Sequence, residues 1–392
     1  MRPADAAEQV ARTSYGRLIA LLAASTGDLA LAEDALASAF ERALSTWPDD
    51  GVPANPEGWL LTVARNRQRD TWKSAAHRTS DPLEFAADQV SPLDDLDPEA
   101  IGDRRLELLF VCAHPAIDAA IRTPLMLQTV LGFEAAQIAA AFAVPPAAMA
   151  QRLVRAKRRI KNTRIPFVVP EPQDRPERVA AVLEAVYGCY AIAGTGDLAD
   201  EAHYLAVTLA ALLPTEPEAW ALAALIALSR SRATARDADF VPLDEQNTTR
   251  WDRELIAEGE SYLRRASGGQ PGRFQLEAAI QAVHCDRART QQTDWPALHT
   301  LYSALITIAP TLGAQVALAA VTARIHSPAA GLDALDQLDA ETFQPLHATR
   351  GELLAQAGRP AEAAAAFTTA ASLTTDEALQ SYLLGRAATC RR

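Results

Sequence analysis

Apolar residues recur at helical spacing along most of this chain, and polar residues fill the faces between them. One such pattern runs from about Ala6 to Ala24 and a second from Leu29 to Trp47. In the second, Ala32, Leu36, Ala39, Phe40 and Ala43 point inward, while Glu33, Asp34, Ser38, Glu41 and Arg42 fall on the opposite face. Pro48 to Pro53 predicts a loop. Asn55-Pro56-Glu57 then supplies an N-cap, a proline at the first helical position and an early acid, which together open a third helix. Along it Trp59 and Val63, with Leu60 beside them, face a core. Arg65, Asn66, Arg67, Arg69 and Lys73 present donors around Trp72. Basic residues beside an aromatic suit single-stranded nucleic acid, through stacking and phosphate pairing; a Trp72 that simply packs is the plainer alternative.

From 81 to 103 the pattern stops. Eight acidic residues and three prolines predict an extended acidic linker that buries little. Helical spacing resumes at Arg104. Ala135, Ile138, Ala139 and Phe142 form one short stripe, Ala143-Val144-Pro145-Pro146 breaks it, and Met149, Leu153, Ala156 and Ile160 form another. Two helices meeting at a tight turn, both apolar inside, predict a helix-turn-helix. Its outward face carries Gln151, Arg152, Arg155, Lys157, Arg158, Arg159 and Lys161, donors long enough to reach phosphates and base edges in a major groove. A solvated basic helix end complementing its own dipole fits the same residues.

Charge sharpens the choice. The chain carries a formal net charge of -12, yet Pro145 to Arg164 holds seven basic residues and no acidic one. Such a local reversal of sign marks a surface for a polyanion. Through residue 165 there are 19 basic and 21 acidic residues, so the acidic excess falls almost wholly on the remainder, which has no lysine. Nucleic acid is therefore expected at the first half, and a protein-facing or self-contained module in the second. At 392 residues with 49% hydrophobic content the chain has room for two or three domains and is not largely disordered. Frequent alanine and few aromatics favour an all-α fold. No apolar run approaches a membrane span and no signal-peptide core opens the chain, so a cytoplasmic protein without a membrane is expected. Cys112, Cys189, Cys285 and Cys390 form no CxxC pair, which predicts reduced structural thiols.

Several segments together resemble a known family. Ala32-Glu33-Asp34-Ala35-Leu36, then Trp59-Leu60 with Ala64-Arg65-Asn66 and Asp70, a linker, and the run from Met149 to Ile160 look like a bacterial extracytoplasmic-function sigma factor. Phe110, Cys112 and His114-Pro115, with the long helical second half, resemble the subfamily fused to a tetratricopeptide-like domain. The resemblance implies a factor without catalytic residues or cofactors, whose partners are core RNA polymerase, through the beta-prime clamp helices and beta flap, and promoter DNA. Polymerase binding would fall to Glu33, Asp34, Ser38, Glu41 and Arg42. Melting and capture of the -10 element would fall to Arg65, Asn66, Arg69 and Lys73. Readout of the -35 element would fall to Gln151, Arg152, Arg155, Lys157, Arg158 and Lys161. Two departures stand out. Ala37-Ser38-Ala39 follows the acidic pair where such factors often place Gln or Glu. Ala113 stands where the subfamily often has a second cysteine, which leaves Cys112 and His114 short of a metal-ligand set, so no metal is expected.

The expected organisation is a first sigma module over 1–80, the acidic linker over 81–103, a helix-turn-helix module over 104–165, a proline-rich linker over 166–177 and a tetratricopeptide-like helical domain over 178–392. Gly351, Leu354, Gly358, Ala363, Phe367 and Ala370 carry the clearest repeat signal. Asp244-Glu245 and His284-Cys285 invite catalytic readings, but adjacent carboxylates seldom converge on one substrate, and the second pair lies in a helical packing pattern. The C-terminal domain is expected to modulate activity, and a protein partner for it stays open. A helix-turn-helix repressor with a protein-interaction domain is the alternative function, although it gives the Arg65-Asn66 segment no role.

Overall fold

The computed structural model describes residues 2–78, 104–193, 196–235 and 240–391, without the side chains of 73–78 and 172. Both the expected acidic linker and the side chain of Lys73 lie outside the described residues. Among those described there are 18 α-helices and no strand, the all-α architecture that the alanine-rich composition implied. Contacts divide the chain into two compact units, Met1–Leu205 and Ala206–Arg392.

In the first unit α1 (Pro3–Thr26), α2 (Leu29–Asp50) and α3 (Pro56–Arg78) pack on one another. Local signals set their ends. Gly27 closes α1 in a left-handed conformation, φ 69°, with its N–H bonded to Ala23 O at 2.7 Å. Asp28 caps α2 by accepting from the Leu31 N–H at 3.2 Å, and Asn55 caps α3 by accepting from the Gly58 N–H at 2.9 Å. Helix α2 runs through Pro48 to Asp50, past the expected loop start, because a proline near the last turn forfeits only one ladder bond. The buried stripe of α3 is Leu60, Leu61, Ala64 and Gln68. Trp59 and Val63, expected inward, are half-buried; Trp59 sits at its edge and packs edge-on to Trp47 with ring centres 5.5 Å apart.

Helices α4 (Arg105–Cys112), α5 (Ala119–Thr129), α6 (Ala135–Ala141) and α7 (Pro146–Thr163) follow, and α8 (Pro176–Ala193) packs on α4 and α5. These helices and α1–α3 share one body: α1 packs on α4, and α2 on α7. At Gly16 an added Cβ would lie 1.8 Å from Val130 O. Only the absence of a side chain admits the two backbones there.

After α9 (Asp197–Leu212), the second unit is built around α10 (Pro217–Arg230), in which every residue from Ala219 to Leu228 is buried. Its neighbours are α11 (Arg253–Arg265) and α12 (Arg273–Thr290). Gly259 of α11 meets Leu228 of α10, where a Cβ would come within 2.6 Å. Helices α13 (Trp295–Ile308), α14 (Leu312–Ile325), α15 (Pro328–Leu335), α16 (Gln344–Gln356), α17 (Pro360–Ser372) and α18 (Glu377–Cys390) then pack each on the next. In the expected repeat, Gly351 lies under the Phe367 ring, while Ala363, Phe367 and Ala370 are buried. Gly358 makes the turn between the two helices at φ 73°.

The Gly268–Gly272 segment acquires a structural role from a distant carboxylate. Glu218 on α10 accepts from the Phe274 and Gln275 N–H groups at 2.9 and 3.0 Å, and so caps α12 across space. A Cβ on Gly272 would lie 2.3 Å from the Glu218 carboxyl carbon. Gly272→Ala therefore should displace that cap and cost about 1–2 kcal/mol. Thermal unfolding of the full chain would show it, and a melting temperature equal to wild type would contradict the cap.

Candidate nucleic-acid interface

Helix α7 is placed by its apolar stripe. Met149, Leu153, Ala156 and Ile160 are all buried, as their spacing predicted. In the helix before it, Ile138 and Ala139 are buried, but Phe142, expected inward, is 40% exposed. It falls at the C-cap of α6, where the chain turns out of the helix. Ala143 adopts φ 51°, and the Val144 N–H bonds back to Ala139 O at 2.9 Å. Phe133, ahead of α6, is buried instead.

With about 100° per residue, the polar residues of α7 divide into three groups around the helix. Gln151, Arg155 and Arg158 stand opposite the core and are exposed. Arg152 and Arg159 lie on one flank, where together with Arg155, Asp118 and Ile121 they border a cavity of about 580 Å³ at the start of α5. Lys157 and Lys161 lie on the other flank, facing α2. The expectation that all seven residues point outward fails at Lys157, whose side chain is only 10% exposed. Its ammonium sits 2.6 and 2.7 Å from the two carboxylate oxygens of Glu33. Lys161 pairs with Asp28 at 2.7 Å and keeps most of its surface in water.

On the first module, Asp34, Glu41 and Arg42 are exposed, whereas Ser38 is half-buried and Glu33 is taken up by Lys157. Leu44, which the sequence reading left unassigned, lies beside Glu41 on the exposed side with 52% of its surface accessible. Its absence from the apolar stripe of α2 was the signal that could have found it. Along α3, Asn66 and Arg69 are exposed, Arg65 is half-buried, and Trp72 is 52% exposed. Asn66 and Arg69 lie opposite Leu60 and Ala64, and Arg65 and Trp72 flank them.

The other sequence candidates have structural partners. Cys112 is fully buried against the Thr129 hydroxyl, and burial pushes its thiol up to about 12. His114 accepts the Ala116 N–H at Nδ1, 3.0 Å away, closing the turn after α4. Cys285 receives an N–H from the buried Arg232 at 3.2 Å. Burial, then the charges of Arg232 and Arg287, bring the neighbouring His284 down to about 4. Asp244 pairs with Arg324 at 2.6 Å.

Two family models match parts of the chain. Residues 10–78, covering α1 to α3, match the family Sigma-70 region 2, and residues 178–267 match a family of unknown function, DUF6596. The first of these, with a likeness over 170 residues to the probable ECF RNA polymerase sigma factor SigI of Mycobacterium tuberculosis, supports an RNA polymerase sigma factor. That likeness is 30% identical and covers 42% of this chain and 57% of SigI. The chain belongs to the family of the uncharacterized protein R00370 of Rhizobium meliloti, with which it is 38% identical over 379 residues, 91% of this chain and 89% of that protein. No solved structure matches. Among the described residues, no helix is long and apolar enough to cross a membrane.

Thiol reactivity checks the burial of the cysteines. Cys112, Cys189 and Cys285 are buried and Cys390 is half-buried. Under native conditions an aromatic disulfide reagent should titrate about one thiol quickly, assigned to Cys390 by peptide mapping, and the rest only on unfolding. Rapid modification of Cys112 would contradict the packing described for α4 and α5.

Proposed function

We propose that this chain directs core RNA polymerase to promoters, reading a -35 duplex with α7 and capturing the melted -10 strand with α3. The observation that carries the proposal is the Sigma-70 region 2 match over α1–α3, in the same unit as a helix whose exposed face is basic. Gln151, Arg155 and Arg158 would enter the major groove, with Arg152 and Lys161 on flanking phosphates. Arg65, Asn66, Arg69 and Lys73 would hold unstacked bases and their phosphates beside Trp72. Melting needs no catalytic group, since binding to extruded bases offsets unpairing at a few kcal/mol per base. Asp34, Ser38, Glu41 and Arg42, with Leu44 among them, would meet the clamp helices of the beta-prime subunit, and the α7 module would meet the beta flap. The factor acts as a non-enzymatic partner of polymerase in the cytoplasm.

The second unit would modulate that activity as a tetratricopeptide-like array. Successive helices that bury their faces mainly on their neighbours, and the Gly351–Phe367 nesting, support this reading. Helix α8 packs on α5, so a fragment ending at 165 would uncover α5; a 1–205 fragment keeps that contact. Its transcription with core polymerase should differ from that of the full chain, and equal activity would remove the modulating role.

Gel filtration of the full chain with sigma-free core polymerase tests the main reading. Stoichiometric co-elution is expected. Glu41→Lys, an exposed charge reversal, should weaken the complex by about tenfold, roughly 1.4 kcal/mol, while changing thermal stability little. If neither the full chain nor the 1–205 fragment co-elutes, the polymerase role fails.

A further inference from the structure

We infer that Asp28 and Glu33 act as a built-in phosphate mimic, keeping Lys157 and Lys161 of α7 from duplex DNA in the chain without polymerase. This rests on α7 being the DNA-facing helix. The two lysines are one turn apart on one flank of that helix, and each has its own carboxylate. Lys157 meets both oxygens of Glu33, at 2.6 and 2.7 Å, with side chains 10% and 21% exposed. Lys161 meets Asp28 Oδ2 at 2.7 Å. An ammonium held between two anionic oxygens makes the contact that it would make to a phosphate.

The acidic partners are fixed in place. Asp28 is the N-cap of α2, its Oδ1 accepting the Leu31 N–H while Oδ2 serves Lys161. Glu33 follows on the next turns of the same helix. Glycine-licensed packing of Gly16 on Val130 holds the two halves of the unit together and keeps the carboxylates within reach. The pairing is selective. Gln151, Arg155 and Arg158 face away from α2, so the mimic takes only the flank that a DNA backbone would share. A polyanion approaching the exposed face competes with Asp28 and Glu33 for two cations. A partner that engages Glu33 on the first module releases Lys157 at the same time. Polymerase and DNA thereby favour the same open arrangement, and each assists the other.

Salt-dependent binding of the full chain to a generic duplex, read by fluorescence anisotropy without polymerase, tests the mimic. Asp28→Asn keeps a good N-cap and Glu33→Gln keeps a hydrogen-bond acceptor, so the double variant removes charge with little loss of fold. Freed of their carboxylates, both lysines should reach phosphates. The log–log salt slope then steepens by about two, and the affinity lost between about 50 and 200 mM salt becomes roughly tenfold greater than for wild type. Adding Lys157→Ala and Lys161→Ala should cancel that gain. A double variant with the slope and affinity of wild type overturns the inference. Arg155→Ala with Arg158→Ala separates the two possible failures. If that variant binds duplex as wild type does, α7 does not face DNA and both readings fall. If it binds more weakly while the charge-neutral variant is silent, only the mimic falls.

Discussion

Close approach of helix backbones is the constraint on which this structure depends. Where Gly16 crosses Val130 a side chain would meet backbone and force the helices apart, and where Gly259 meets Leu228 and Gly351 lies under Phe367 it would displace a packed side chain. The frequent alanines act in the same sense, and α10 is buried along its length because its faces carry small residues between leucines. Tightly packed helices bring charged side chains on facing surfaces into contact, and in the first unit those charges include the residues that matter for function.

The pairing of α7 with α2 shows the consequence. A lysine with a tenth of its surface exposed must have a counter-charge, because an unpaired buried ammonium costs several kcal/mol. Glu33 provides it, and the helix that carries Glu33 is held nearby by contacts elsewhere in the unit. Electrostatics alone would not hold the two halves together, since a pair as exposed as Lys161–Asp28 contributes little in water. Packing sets the distance, and the charges then decide which groups are available to a partner.

Much of the fold was legible in the sequence. The stripe Met149, Leu153, Ala156, Ile160 is buried as read, Asn55 caps α3, and Gly358 turns the chain between α16 and α17. These are local consequences of helical period and capping chemistry. The errors fell at the ends of elements and at the margins of helix faces, Lys157 among them. Phe142 is exposed because α6 ends before it, and α3 buries Leu61 and Ala64 with the expected Leu60, while Trp59 and Val63 are only half-buried. A stripe read from spacing has an angular uncertainty of about one residue, enough to swap neighbours on a helix whose face is apolar on both sides of its centre.

What the sequence determined by itself was the set of helices, most of their inward faces and the basic character of α7, since each depends on residues within a few turns of one another. Tertiary structure alone decided which cations of α7 remain available and how Glu218 caps a helix 56 residues away. Those outcomes depend on which surfaces meet. Periodicity shows that a side chain lies on the flank of a helix; only the packed fold puts Glu33 opposite Lys157, because that contact joins residues 124 apart in the chain.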